Sequence, residues 1–149
     1  MDASQLFLLA WAGLIFWELG QIWLVQIVVY PLFAKVSEAE YVGYHRFYAS
    51  RIPLPVIGPG FAGFLLPVPL AFFGPVVPLW MSAVNVVAGL IGLLVTVLLE
   101  IPRHNRLEQY GKNDATIAEL TRFSWPRTLS ITTSAAVTMA MLLSVFAMP

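Results

Sequence analysis

Residues 79–99, LWMSAVNVVAGLIGLLVTVLL, run for 21 positions without a charged side chain. As a helix the stretch is about 31 Å long at 1.5 Å per residue, which matches a bilayer hydrocarbon core of about 30 Å. The expected reading is a membrane-crossing helix with Trp80 anchored at one interface. Three more apolar segments flank it. Residues 6–33 form a run long enough to tilt or to project beyond the lipid, bent near Pro31. Residues 54–73 are uncharged but hold Pro55, Pro59, Pro67 and Pro69, so this span is expected to be kinked. The last segment covers 126–148, and the quoted span extends to 101.

Composition agrees. The chain has 149 residues, 59% of them hydrophobic and 11% charged, where soluble domains carry about 25% charged residues. That length allows one domain, 1–149. A net charge of zero gives nucleic acid no reason to bind. The lack of cysteine removes disulfides, thiolate metal sites and cysteine nucleophiles. The start, MDASQ, lacks the basic residues of a signal peptide. The expected fold class is all-α: an integral membrane four-helix bundle with an interfacial helix after the first span.

That interfacial helix is signalled by Ser37 and Glu40, spaced as a capping box, and by Tyr41, Tyr44 and Tyr48 on one face. Gly111 is a natural helix stop. Asp114 is expected to cap a short helix through Arg122, and Ser124 to cap the last span with Pro126 in its first turn.

The basic residues set the orientation. Lys35, Arg46 and Arg51 follow the first span; Arg103, Arg106, Lys112, Arg122 and Arg127 lie between the third and fourth. By the positive-inside rule, loops 35–53 and 102–125 face the cytoplasm, and both termini lie outside a cell (inner) membrane.

Two polar groups need a partner or a purpose. Glu18, Gln21 and Gln26 lie within the first span. An ionised carboxylate at mid-membrane costs about 2.5–3.5 kcal/mol on insertion scales, so Glu18 is expected to be neutral or paired and turned inward. It either hydrogen-bonds hydroxyls of the last span, which carries Ser130, Thr132, Thr133, Ser134 and Thr138, or serves as a proton relay or ligand group. Gln21 shares its face; Gln26 is rotated away. The second group, His45, Arg51, Glu100, Arg103, His104, Asn105, Trp125 and Arg127, comes from three stretches that topology brings to one depth. Glu100 and His104 are spaced i, i+4, and His45 adds a third donor, so a metal site of two imidazoles and a carboxylate is one reading. The other is a salt-bridge network in which Glu100 pairs with Arg103, His104 or Arg127.

Gln26, Tyr30-Pro31-x-Phe33, Tyr44-His45, Arg51-Ile52, Ile101-Pro102-x-His104-Asn105-x-Leu107 and Trp125-x-Arg127-Thr128 together resemble the anthrone oxygenase-like family of small four-span membrane proteins. The likeness covers nearly the whole chain; the usual pattern has Asn where Ser124 stands. Fungal relatives are associated with oxygenating anthrones, which are tricyclic aromatics, to anthraquinones. The resemblance implies a role for His45, His104, Asn105, Trp125 and Arg127, with His45, His104 and Arg127 as candidate catalytic residues. Tyr48, Asn105 and Trp125 are the candidate walls of an aromatic or quinone-type site. The rival class is a non-catalytic membrane subunit that packs on a larger membrane complex or on a second copy. A bundle that encloses a polar-lined cavity favours the first class, and a filled bundle with an exposed small-residue helix face favours the second.

Overall fold

A computed structural model describes residues 1–147, so Met148, the last residue of the expected fourth span, lies outside the described residues. All regular structure among the described residues is helical. The described residues form six helices: α1 (Ala3–Phe33), α2 (Glu38–Arg51), α3 (Pro53–Leu65), α4 (Pro67–Phe73), α5 (Leu79–Tyr110) and α6 (Asp114–Phe146). Three of them, α1, α5 and α6, are long and apolar enough to cross a membrane, and α3 with α4 makes a fourth if the pair counts as one bent span.

Proline shapes three of these helices in the same way. A proline lacks an N–H and its ring clashes with the carbonyl four residues back, so a regular α-turn cannot run straight into it. In α1 the chain widens to a π-turn over Val25–Val29, and the Tyr30 N–H reaches back five residues to the Val25 carbonyl just before Pro31. In α3 the Gly58 N–H bonds the Pro53 carbonyl before Pro59. In α5 the Ile101 N–H bonds the Thr96 carbonyl before Pro102. Each helix therefore continues through its proline with one widened turn instead of breaking. The expected kink in residues 54–73 falls at Leu66, where α3 and α4 meet at 44°.

Three expectations about helix ends need correction. Ser37 precedes α2, but its hydroxyl donates to Glu40 Oε2 at 2.8 Å, so neither side chain caps the backbone. Asn113, not Asp114, caps α6, its side-chain oxygen accepting from the Thr116 N–H at 2.8 Å. Ser124 has helical dihedrals and caps nothing, so the short helix and the last span join into one 33-residue helix. Gly111, at φ +80°, does end α5 as its sequence suggests. Asp2 and Gln5 cap the start of α1 reciprocally.

Two clusters hold the bundle together. At one end and the centre, Leu8, Trp11 and Ile15 of α1 pack with Phe64, Leu70, Met81, Ile131, Ala135 and Met141. Gly89 and Gly92 of α5 let Phe64 lie directly against the helix backbone, where a Cβ would collide with it. At the other end Val25, Tyr30 and Phe33 pack with Tyr41 of α2, Leu107 of α5, and Ile117 and Leu120 of α6. That second cluster fixes α2 across the mouth of the bundle.

Candidate functional site

The π-turns of α1 and α5 place Tyr30 and Glu100 inside the bundle at the level where α2 crosses it. The Tyr30 hydroxyl is the meeting point. It donates to Glu100 Oε2 at 2.8 Å and accepts from Arg127 Nη2 at 3.0 Å. His104 Nε2 lies 3.4 Å from the same oxygen, and His104 Nδ1 lies 3.2 Å from His45 Nε2. Arg127 also donates to Ser124 Oγ at 3.1 Å and to Thr96 Oγ1 at 3.3 Å, and stands 3.5 Å from Glu100 Oε2. Five side chains from four helices thus form one hydrogen-bonded chain: His45, His104, Tyr30, Glu100, Arg127.

The chain sets its own tautomers. With its proton given to Glu100, Tyr30 can only accept from His104, so His104 carries its proton on Nε2 and its Nδ1 accepts from His45 Nε2–H. The ring nitrogen left with a free lone pair is His45 Nδ1, which is buried and has no protein partner among the described residues. Burial holds the His45 pKa below its usual value, with Glu108 opposing weakly, so the ring is neutral at pH 7 and available as a base. Aromatic neighbours hold both imidazoles in place. Tyr41 stacks on His45 and Tyr48 on His104, while the ring of Phe33 stands edge-on to both.

Beside this chain lies a cavity of about 330 Å³. Ile22, Val25, Ile52, Val56 and Phe61 give it apolar walls; Tyr30, His45, Tyr48, Glu100, His104 and Arg127 give it one polar side. A mostly apolar pocket with a few convergent polar groups is the usual form of a small-molecule site, and the volume falls at the lower end of the roughly 300–1,000 Å³ such sites occupy.

Most of the expected second group is brought together here: His45, Tyr48, Glu100, His104 and Arg127, with Asn105 exposed on the cavity wall. Trp125 is not. It packs edge-to-face on Trp23, with ring centroids 5.8 Å apart, and is turned away from the cavity. Arg103 also lies apart, bound to Glu119 at 3.1 Å, so Glu100 pairs with Arg127 and not with Arg103. Arg51 lies over the ring of the exposed Phe47. The trio His45, Glu100 and His104 does not gather around one point. Glu100 turns to Tyr30 and Arg127, and no group of three metal-ligating side chains exists among the described residues. The residue that sequence reasoning missed is Tyr30. Its signal was the Tyr30-Pro31 pair inside an apolar span, which matches Ile101-Pro102 in α5.

In the first polar group, Gln26 donates to the Thr121 carbonyl at 2.9 Å and accepts from Thr128 at 3.1 Å, tying α1 to α6 away from the cavity. Gln21 donates to the Pro55 carbonyl at 2.6 Å. Glu18 is buried and points inward as expected, but it bonds no hydroxyl of the last span, and neither carboxyl oxygen has a protein partner among the described residues. Those hydroxyls are already engaged: Ser130 with the Arg127 carbonyl, Ser134 with Asn85, Thr132 with the Thr128 carbonyl, Thr138 with Trp11. In comparisons with known proteins, no family model, no curated protein and no solved structure matches the chain.

Proposed function

We propose that this chain is a four-span membrane protein that binds a hydrophobic aromatic or quinone-type molecule in the cavity beside His45 and His104, and acts on it as an oxygenase. The observation that carries this reading is the hydrogen-bonded chain of five side chains, four buried and His104 half-buried, along one wall of a mostly apolar cavity. A bundle evolved only to pack would have no use for it. Burying the Arg127–Glu100 pair costs desolvation energy that hydrophobic residues would avoid, so the pair is better explained by what it does than by stability.

The membrane assignment is supported by α1, α5 and α6, by the bent α3–α4 pair as the remaining span, and by outward-facing apolar residues such as Leu98, Leu129 and Leu143. The basic residues other than Arg127 sit around α2 (Lys35, Arg46, Arg51), in the last turns of α5 (Arg103, Arg106), at the link to α6 (Lys112) and in the first turns of α6 (Arg122). The positive-inside rule then puts the cavity mouth at the cytoplasmic face of the cell membrane and both ends of the chain outside. Arg127 is buried in the site and has no part in that charge count.

In the proposed reaction an aromatic molecule whose acidic methylene is conjugated across the central ring to a carbonyl, as in an anthrone, lies between Phe61 and Tyr48. The neutral His45 takes the proton, and the Arg127 charge stabilises the enolate oxygen. Dioxygen then adds to the carbanion. One of its oxygen atoms becomes the new ketone and the other leaves as water with both methylene hydrogens, so one O₂ is consumed for each anthrone converted. Relay through His104 and Tyr30 carries the proton away from the reacting carbon. The test is oxygen uptake by the purified protein in nanodiscs with anthrone. Expected are one O₂ per anthrone and a loss of at least a hundredfold in His104→Ala, in line with the usual contribution of acid–base groups. Uptake no faster than in empty nanodiscs would overturn the reaction, and the absence of saturable anthrone binding would overturn the binding role as well.

A further inference from the structure

A second cavity, of about 60 Å³, adjoins the first, and the two share Ile22, Val56, Thr96 and Arg127 as walls. It ends on Glu18. Glu18 and Arg127 both line it, and three of their buried polar atoms, both carboxyl oxygens of Glu18 and the Nε of Arg127, have no protein partner among the described residues. Buried polar atoms are almost always satisfied, and where protein does not satisfy them, water does. At roughly 30 Å³ per molecule the cavity takes about two waters, enough to bridge the guanidinium to the carboxyl.

On its far side Glu18 is closed in. Its carboxyl lies against Gly63, where a Cβ would collide with it, and the remaining void, of about 10 Å³, sits at the lower limit for a water. Beyond it Ser134 and Asn85 bond each other at 2.6 Å. The polar path therefore reaches Glu18 from the Arg127 side and stops there.

We propose that Glu18 is a dead-end proton site: a protonated carboxyl in mid-bundle that exchanges its proton through water in the small cavity with the Arg127–Glu100–Tyr30 cluster. The exchange is balanced in itself. The Glu18 O–H bond breaks toward a cavity water, that water passes a proton past the Thr96 hydroxyl, and an equivalent proton returns. The facing charged and titratable groups are Arg127 of α6 across the small cavity, with Glu100 of α5 and Tyr30 of α1 behind it. The α3 wall contributes no titratable group. A site of this kind lets the bundle store one proton next to its main cavity without opening a path across the membrane. It stands whether or not the main cavity binds an aromatic.

The test is infrared spectroscopy of the full-length protein in nanodiscs at pH 7, with Glu18→Gln used to assign the protonated-carboxyl C=O stretch of Glu18. The expected result is a band that is present in H₂O and downshifts within minutes of transfer to D₂O. Val56→Trp, which fills the shared wall, should slow that exchange at least tenfold. Two wild-type outcomes would overturn the proposal: no protonated band, or a band that stays undeuterated for hours. Unchanged exchange in folded Val56→Trp would overturn the route. If Val56→Trp does not fold, the wild-type exchange decides alone.

Discussion

The two ends of this bundle are made from the same three long helices and are built in opposite ways. Where α1, α5 and α6 are regular, the polar groups other than Glu18 are paired. The Trp11 indole donates to Thr138 at 2.9 Å and Ser134 to Asn85 at 2.6 Å, and large side chains such as Leu8, Trp11 and Met141 leave almost nothing exposed. Past the π-turns, four groups compete for one tyrosine hydroxyl and its neighbours, and atoms are left over: His45 Nδ1, Glu100 Oε1 and Arg127 Nε. A widened turn explains the difference. It shifts the register of the helix by one residue, and Tyr30, just after one such turn, and Glu100, the last residue of another, both face into the bundle beside the cavity. One end is built for packing, and the other is where the proposed chemistry would take place.

Substitutions at the two ends should separate those roles. The largest effect is expected for Arg127→Leu, which leaves the Glu100 carboxylate buried without its cation. A loss of about 3–5 kcal/mol is expected, read from thermal unfolding in detergent, together with loss of anthrone binding. Trp11→Ala should cost a similar amount, about 3–5 kcal/mol, through the cavity it leaves, while the protein still folded binds anthrone with unchanged affinity. If both variants lose binding in the folded state, the two ends are not separable. Thr138→Val is milder, about 1–3 kcal/mol for an unpaired indole N–H, and should also spare binding.

The smallest effect is a pH dependence. His45 has a folded-state pKa depressed from 6.5, so the unfolded chain binds the extra proton first and stability rises with pH below that value. The contribution is fully present above pH 6.5 and is lost as pH falls toward the folded pKa. Unfolding temperatures measured from pH 7.5 down to pH 5 should drop, and the drop should be smaller in His45→Gln. An equal drop in both proteins would assign the effect to other groups.

The apolar runs in the sequence were enough to locate the helices, because a charge-free stretch of 21 residues has few other uses. The bend in residues 54–73 was legible in their prolines. Helix ends were read less well, since Ser37, Asp114 and Ser124 all have capping chemistry and local sequence does not say which competing bond wins. Ser124 is taken by Arg127, and Ser37 by Glu40. In the site, His45, His104, Glu100 and Arg127 were visible as rare polar residues at one depth. Their pairing was not, because it depends on Tyr30, a tyrosine whose hydroxyl faces inward only after the π-turn before Pro31. Trp125 misled for the reverse reason: its motif neighbours enter the site, but its own ring rotates onto Trp23.

The most direct measurement is anthrone binding by titration calorimetry in nanodiscs, comparing wild type with Ala49→Trp. Ala49 lines the main cavity and takes no part in the hydrogen-bonded chain, so the larger side chain fills the space and leaves the polar groups in place. The account requires saturable binding at one site in wild type and its loss in folded Ala49→Trp. Binding that persists unchanged with the cavity filled would contradict it.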